Sequence, residues 1–307
     1  MPATLVRPVP SSTPKSPTAL PDLTLAKVFE LPLGTNTNVR GGFWLSRDQV
    51  LYWTPEGTWL AEIGTKHVEA VCGGRLRGVL GGGLVNGVGV VLDTVLHAAF
   101  EVTSAGQCRA TSRVTERPIA AAPTTNGWWF VIRDRAGVAG LQFRRNGSPR
   151  ADPARSLFPS LGSSPSKWLF LTPSAKGTLV GSRVWPFQWA LLDEAGGAAV
   201  EADAARDLSG PEFAGMHSPD DSLPSWFAVP PLDLGLGYLR ILVGIRDGQR
   251  VLQLFKLTGR LDRFRAVPEP IGFFAASPFD RRLAGLANAR LRSLVVYEWR
   301  WNPEFPN

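Results

Sequence analysis

The sequence predicts an all-β fold made of repeated four-stranded units, and three observations predict it. Five segments share one phrase, an apolar or aromatic strand end, a glycine-centred turn and a second strand: Leu51–Leu60, Phe100–Cys108, Leu141–Ser148, Ala190–Ala198 and Leu254–Leu261. Their turn glycines, Gly57, Gly106, Gly147, Gly196 and Gly259, stand 49, 41, 49 and 63 residues apart, and a degenerate sixth copy, Val296–Pro303, lies at the end of the chain. The second observation is a set of apolar strands that stop at Pro123, Pro173, Pro230 and Pro278, spaced 50, 57 and 48 residues and in phase with the glycines. Proline gives no donor to a ladder and so marks a strand's end or edge. The third is composition. With 32 glycines and 26 prolines in 307 residues, 44% hydrophobic and 19% charged, the chain suits many short strands joined by tight turns around a sizeable core.

Residues 1–23 read as a flexible, Pro-rich leader without the apolar run that a signal peptide needs, and the repeats occupy 24–307. Leu25–Leu31 is the first strand. In each unit a proline-terminated strand precedes a second run, such as Gly127–Ile132 or Tyr238–Gly244, and the glycine hairpin then supplies two more. A unit of this kind cannot bury its own apolar face, so neighbours must stack. The first two units depart most: Leu80–Leu84 lacks the proline, and Arg40–Ser46 substitutes glycines. The run Gly81–Gly83 makes neither a P-loop nor a dinucleotide fingerprint and suits tight strands near a crowded axis. No stretch of about 18 apolar residues occurs, so no membrane-spanning helix is expected. By default the chain is placed in the cytoplasm, or outside the cell if a signal has been removed.

Four antiparallel strands every 40 to 50 residues is a pattern that resembles six-bladed β-propellers over nearly the whole chain. No family signature accompanies it: there is no Trp-Asp dipeptide, and Pro55–Trp59 is one residue short of an Asp-box. The resemblance implies one propeller of six four-stranded blades. The last unit stops at Trp301-Asn302-Pro303, where its outermost strand should begin, and residues 25–31 are expected to supply that strand and close the ring. Two β-sandwiches are the alternative, but the candidate linker Pro159–Lys167 is short, lies in phase and reads as a loop between units.

Residues suited to catalysis are sparse. His67, His97 and His217 fall in three different units and read as structural. Glu212, Asp220 and Asp221 lie in the insertion of the longest unit and read as a solvated acidic loop. No nucleophile elbow is present, so neither catalytic residues nor a metal or cofactor is assigned. Cys72 and Cys108 could be bridged, but are read as separate buried thiols.

Charge is unevenly placed within a net +7. Nine arginines face three acids between Arg109 and Arg155, whereas eight acids face Arg206 alone between Asp193 and Asp221. No nucleic-acid motif accompanies the arginines. Arg144, Arg145 and Arg150 flank the Gly147 turn and are the expected docking residues for an acidic protein partner. Of the eleven tryptophans most are assigned to the core, while Trp185 and Trp189, separated by Pro186, are candidate surface anchors. The expected function is a non-catalytic binding or scaffolding module, with a hydrolase or lyase acting on a sugar or small molecule in the central funnel as the alternative. A cluster of carboxylates, or of histidine with acids, on the axis would favour the enzyme; an apolar or arginine-lined, flat face would favour binding.

Overall fold

The computed structural model describes residues 23–34, 38–133, 139–148, 151–154, 169–183, 188–193, 198–203, 226–235, 237–244, 250–255, 261–266, 271–287 and 292–301. Strand β1 (Leu23–Gly34) precedes all the units. The first sheet holds β2 (Gly41–Ser46), β3 (Gln49–Thr54), β4 (Gly57–Glu62) and β5 (His67–Ala70); the second holds β6 (Val79–Val85), β7 (Val88–Asp93), β8 (Ala98–Val102) and β9 (Cys108–Arg113). The third comprises β10 (Ala120–Thr124), β11 (Gly127–Arg133) and β12 (Ala139–Arg145); the fourth, β13 (Leu169–Ser174), β14 (Gly177–Ser182), β15 (Gln188–Leu192) and β16 (Ala198–Asp203). The fifth contains β17 (Trp226–Ala228), β18 (Leu232–Asp233), β19 (Tyr238–Gly244), β20 (Arg250–Phe255) and β21 (Leu261–Ala266). The sixth is β22 (Ile271–Ala276), β23 (Arg282–Ala287) and β24 (Arg292–Trp301), with β1 added at its outer edge. The whole is a single all-β β-propeller. No helix among the described residues is long and apolar enough to cross a membrane.

The described residues form five blades of four or more strands rather than the expected six, and the sheet of β10–β12 has three. In the fifth, Pro230 and Pro231 interrupt the innermost ladder, so β17 and β18 pair separately with β19. A register correction follows from the hairpins. The phrase Leu51–Leu60 joins β3 to β4, the second and third strands of its sheet, whereas Phe100–Cys108 and Leu254–Leu261 join third to fourth. Any two adjacent antiparallel strands joined by a tight turn write the same local phrase, so the repeat slipped by one strand in the first unit.

The chain start closes the last sheet. β1 runs antiparallel to β24, with Leu25 opposite Trp299 and Leu31 opposite Leu294. Phe29 from β1 is buried with Trp44, Val50, Leu294 and Val296, so the added strand also fills the seam between the sixth and first sheets. Other seams are apolar in the same manner: Phe43, Trp53, Leu76 and Val91 join the first and second sheets, for example, and Trp129, Phe143, Val180 and Leu192 the third and fourth. The aromatics fall at alternate strand positions and so face the neighbouring sheet.

Side chains at the rim lock neighbouring sheets together. Just beyond β5, Cys72 is disulfide-bonded to Cys108 at the turn between β8 and β9, with Cα atoms 5.2 Å apart. This corrects the reading of two separate thiols. The bridged residues sit at the facing rims of adjacent sheets, a neighbour relation that no sequence spacing reveals. Across the seam between sixth and first sheets, Arg282 lies 5.0 Å over the Trp44 ring and donates to Asp280 and to the Arg47 carbonyl.

Candidate functional site: an arginine-lined axial channel

The innermost strands of the six sheets surround a channel of about 870 Å³. Its walls are made by Gly41 and Gly42, Val79–Gly82, Ala120 and Ala121, Leu169–Pro173, Val229, Pro230 and Leu232, and Gly272–Phe274. Space near the axis is short. A Cβ on Gly81 would lie 1.9 Å from the Ala121 carbonyl oxygen, and one on Gly83 would lie 3.0 Å from Pro173 and 3.3 Å from Pro123. The glycine run therefore allows β6 to approach its neighbours, and the prolines sit on an edge that has no ladder partner to lose.

Four arginines line this channel: Arg40, Arg133, Arg183 and Arg292. Strand register places all of them at one end. Arg40 precedes β2; Arg133 closes β11, whose Val131 pairs with Ala120 at the start of β10. Arg183 follows Ser182, which pairs with Leu169 at the start of β13, and Arg292 opens β24 beside Ser293, which faces Ala287, the partner of Ile271. Each therefore belongs to the end where the innermost strands begin, the upper face. Arg40 and Arg133 are exposed there, and Arg183 and Arg292 are partly buried. Desolvation by burial pushes the Arg183 guanidinium below its ordinary pKa.

Among the described lining residues there is no aspartate, glutamate or histidine. The other lining side chains are apolar, apart from Asn38 and Thr172. Such a channel offers cationic donors and apolar walls. It can hold a carboxylate or phosphate by charge and hydrogen bonds. The described residues do not bring three His, Cys, Asp or Glu side chains together as a metal would require.

The expected site residues fall elsewhere. Arg144 is not an exposed docking residue: its Nη1 donates to Glu116 Oε2 at 2.8 Å, with the two side chains 11% and 12% exposed, and its Nε donates to the Ser148 carbonyl. Arg145 is exposed. Arg150 and Trp185 lie outside the described residues. Trp189 is 3% exposed in β15, buried rather than on the surface. His67 stands on the rim 3.9 Å from Glu69, His97 closes the turn between β7 and β8 with φ 50°, and His217 lies outside the described residues, as do Glu212, Asp220 and Asp221. The axial arginines carried one unread sequence signal: Arg133 and Arg183 stand ten residues beyond Pro123 and Pro173. That places them at the same level of two consecutive units.

No protein-family model matches the chain, and no curated protein matches it. Solved structures do. A gluconolactonase from Xanthomonas campestris is similar with a TM-score of 0.54 at 11% identity, covering 92% of this chain and 91% of that one. A chain of the mitotic checkpoint complex is similar with a TM-score of 0.50 at 10% identity, covering 96% and 98%. At these identities the likeness is one of fold.

Proposed function

We propose that this chain is a non-catalytic binding module, a six-bladed ring whose upper axial mouth receives an anionic segment of a macromolecular partner. The six-blade count rests on six innermost strand regions lining one channel, with the β10–β12 sheet as a blade of which three strands are described. One observation carries the function: four arginines from four sheets converge on one mouth, and no carboxylate or histidine accompanies them among the described lining residues. A hydrolase or lyase in the funnel would need a positioned acid or base, and the described lining residues include no carboxylate or histidine to serve as one. The two similar folds, one an enzyme and the other part of a protein complex, do not separate the readings. Within the basic stretch 109–155, docking passes in this reading to Arg133, because Arg145 pairs with Gly127 at the opposite end of the same sheet. The Cys72–Cys108 bridge argues for work in an oxidising compartment rather than the cytoplasm.

The test is fluorescence anisotropy with a labelled ten-residue polyglutamate peptide at low and high salt. Wild type should bind, more weakly as salt rises, and Arg40→Ala/Arg133→Ala should bind about tenfold more weakly. Equal binding by both proteins overturns the assignment of the mouth.

A further inference from the structure

The turn between β7 and β8 lies on the same upper face as the arginine mouth. Its position follows from register, because Asp93 at the end of β7 pairs with Val79 at the start of β6. This turn is held rigidly from below. The Asp93 carboxylate is fully buried; Oδ1 accepts from the Val95 and Leu96 N–H groups, both at 2.8 Å, and Oδ2 accepts from Gly78 N–H at 2.9 Å. The Thr94 N–H and hydroxyl both donate to the Gly78 carbonyl at 3.0 Å. A Cβ on Gly78 would lie 2.6 Å from Val95 Cγ2, so glycine lets the turn sit flush on the chain that enters β6.

The turn so fixed points its apolar side chains at water. Val95 is 67% exposed and Leu96 44%, two adjacent members of the five large exposed hydrophobics among the described residues. A solvated turn needs polar or small residues, and single exposed apolar residues are ordinary. Two in succession, immobilised by a buried carboxylate, form a pre-organised apolar knob whose ordering cost has been met in the free protein. Charge around it is mainly positive. Arg75 and Arg77 are exposed on the segment leading into β6, Arg117 on that leading toward β10, and Arg40 and Arg133 at the mouth; the neighbouring first sheet exposes Glu56 on the turn before β4, together with Asp48 and Glu69.

We propose that Val95 and Leu96 are the apolar anchor of the docking surface for an acidic peptide, whose apolar side chains seat on this turn while its carboxylates meet Arg77 and the mouth arginines. The inference rests on the binding function proposed above and adds the partner's class: an acidic segment that also carries apolar residues. Charge complementarity selects it. The chain's own leader, with Arg7 and Lys15 against Asp22, has the wrong sign to occupy this face.

Two labelled ten-residue peptides test it, one all glutamate and one with two adjacent leucines in place of central glutamates, titrated against the full chain. Wild type should bind the leucine peptide about tenfold more tightly. Val95→Ser/Leu96→Ser should erase that gain and leave all-glutamate binding unchanged, with an unaltered melting temperature as the control of folding. Arg40→Ala/Arg133→Ala should weaken both peptides. No leucine gain in wild type, or a gain that survives the serine substitutions, overturns the anchor while leaving the arginine reading standing. Binding of neither peptide by wild type overturns both, and displacement of the leucine peptide by a single-stranded oligonucleotide of equal charge overturns the partner class.

Discussion

Glu116 and Arg144 form a partly buried ion pair at the rim between the second and third sheets, Nη1 to Oε2 at 2.8 Å. One seam earlier, Cys72 and Cys108 occupy the corresponding places. In both, a residue just beyond the outermost strand of one sheet is tied to the third-strand hairpin of the next, Cys72 after β5 and Glu116 after β9. The same mechanical task is therefore done covalently at one seam and electrostatically at the next.

Arg144→Ala is expected to destabilise the protein by about 3 kcal/mol, because it leaves the Glu116 carboxylate with little water and no counter-charge. Its neighbour provides the contrast. Arg145 is exposed, and Arg145→Ala should cost less than about half a kcal/mol. Urea midpoints of the two variants against wild type measure the difference; a shift of the same size in both would deny the pair its structural role.

Opening the disulfide should cost a comparable amount. The bridge spans 36 residues, and loop closure of that length corresponds to about 3–4 kcal/mol of restriction on the unfolded chain. Cys72→Ala/Cys108→Ala should lower the denaturant midpoint accordingly, and a thiol assay on the unfolded, unreduced protein should find no reactive cysteine. One mole of free thiol or more per chain would show that the bridge is not closed.

Removing residues 1–20 should leave the melting temperature unchanged, whereas removal through Leu33 should lower it sharply. Only the longer deletion takes away β1, exposing the ladder of β24 and the seam filled by Phe29. Thermal scans of the two truncations give the answer, and equal melting temperatures would contradict closure by this strand.

Gly81→Ala should be strongly destabilising, by about 1–3 kcal/mol or more, since the new methyl meets the Ala121 carbonyl at 1.9 Å and two inner strands must part. Gly64→Ala is the matched control. Its Cβ would meet nothing within 4 Å, and stability should hold or rise slightly. Circular dichroism melts of both variants suffice, and tolerance of alanine at 81 would mean that the strands do not approach as closely as the channel wall requires.

Local chemistry alone determined much of this protein. Strand runs, hairpin turns and proline-marked ends depend on near neighbours, so the all-β repeat and the closing role of residues 25–31 could be read before any contact was known. The glycine run at 81–83 was legible for the same reason, as a site of close backbone approach. Three decisions belonged to the tertiary structure. Alternation puts Arg144 and Arg145 on opposite faces of β12, opposite Trp128 and Gly127, but only the packed neighbour decides which face is inside. The cysteine bridge depends on how the rims of adjacent sheets face each other, which spacing along the chain does not encode. The mouth itself gathers Arg40, Arg133, Arg183 and Arg292 from four sheets across some 250 residues of sequence, and only closure of the ring brings those ends to one axis.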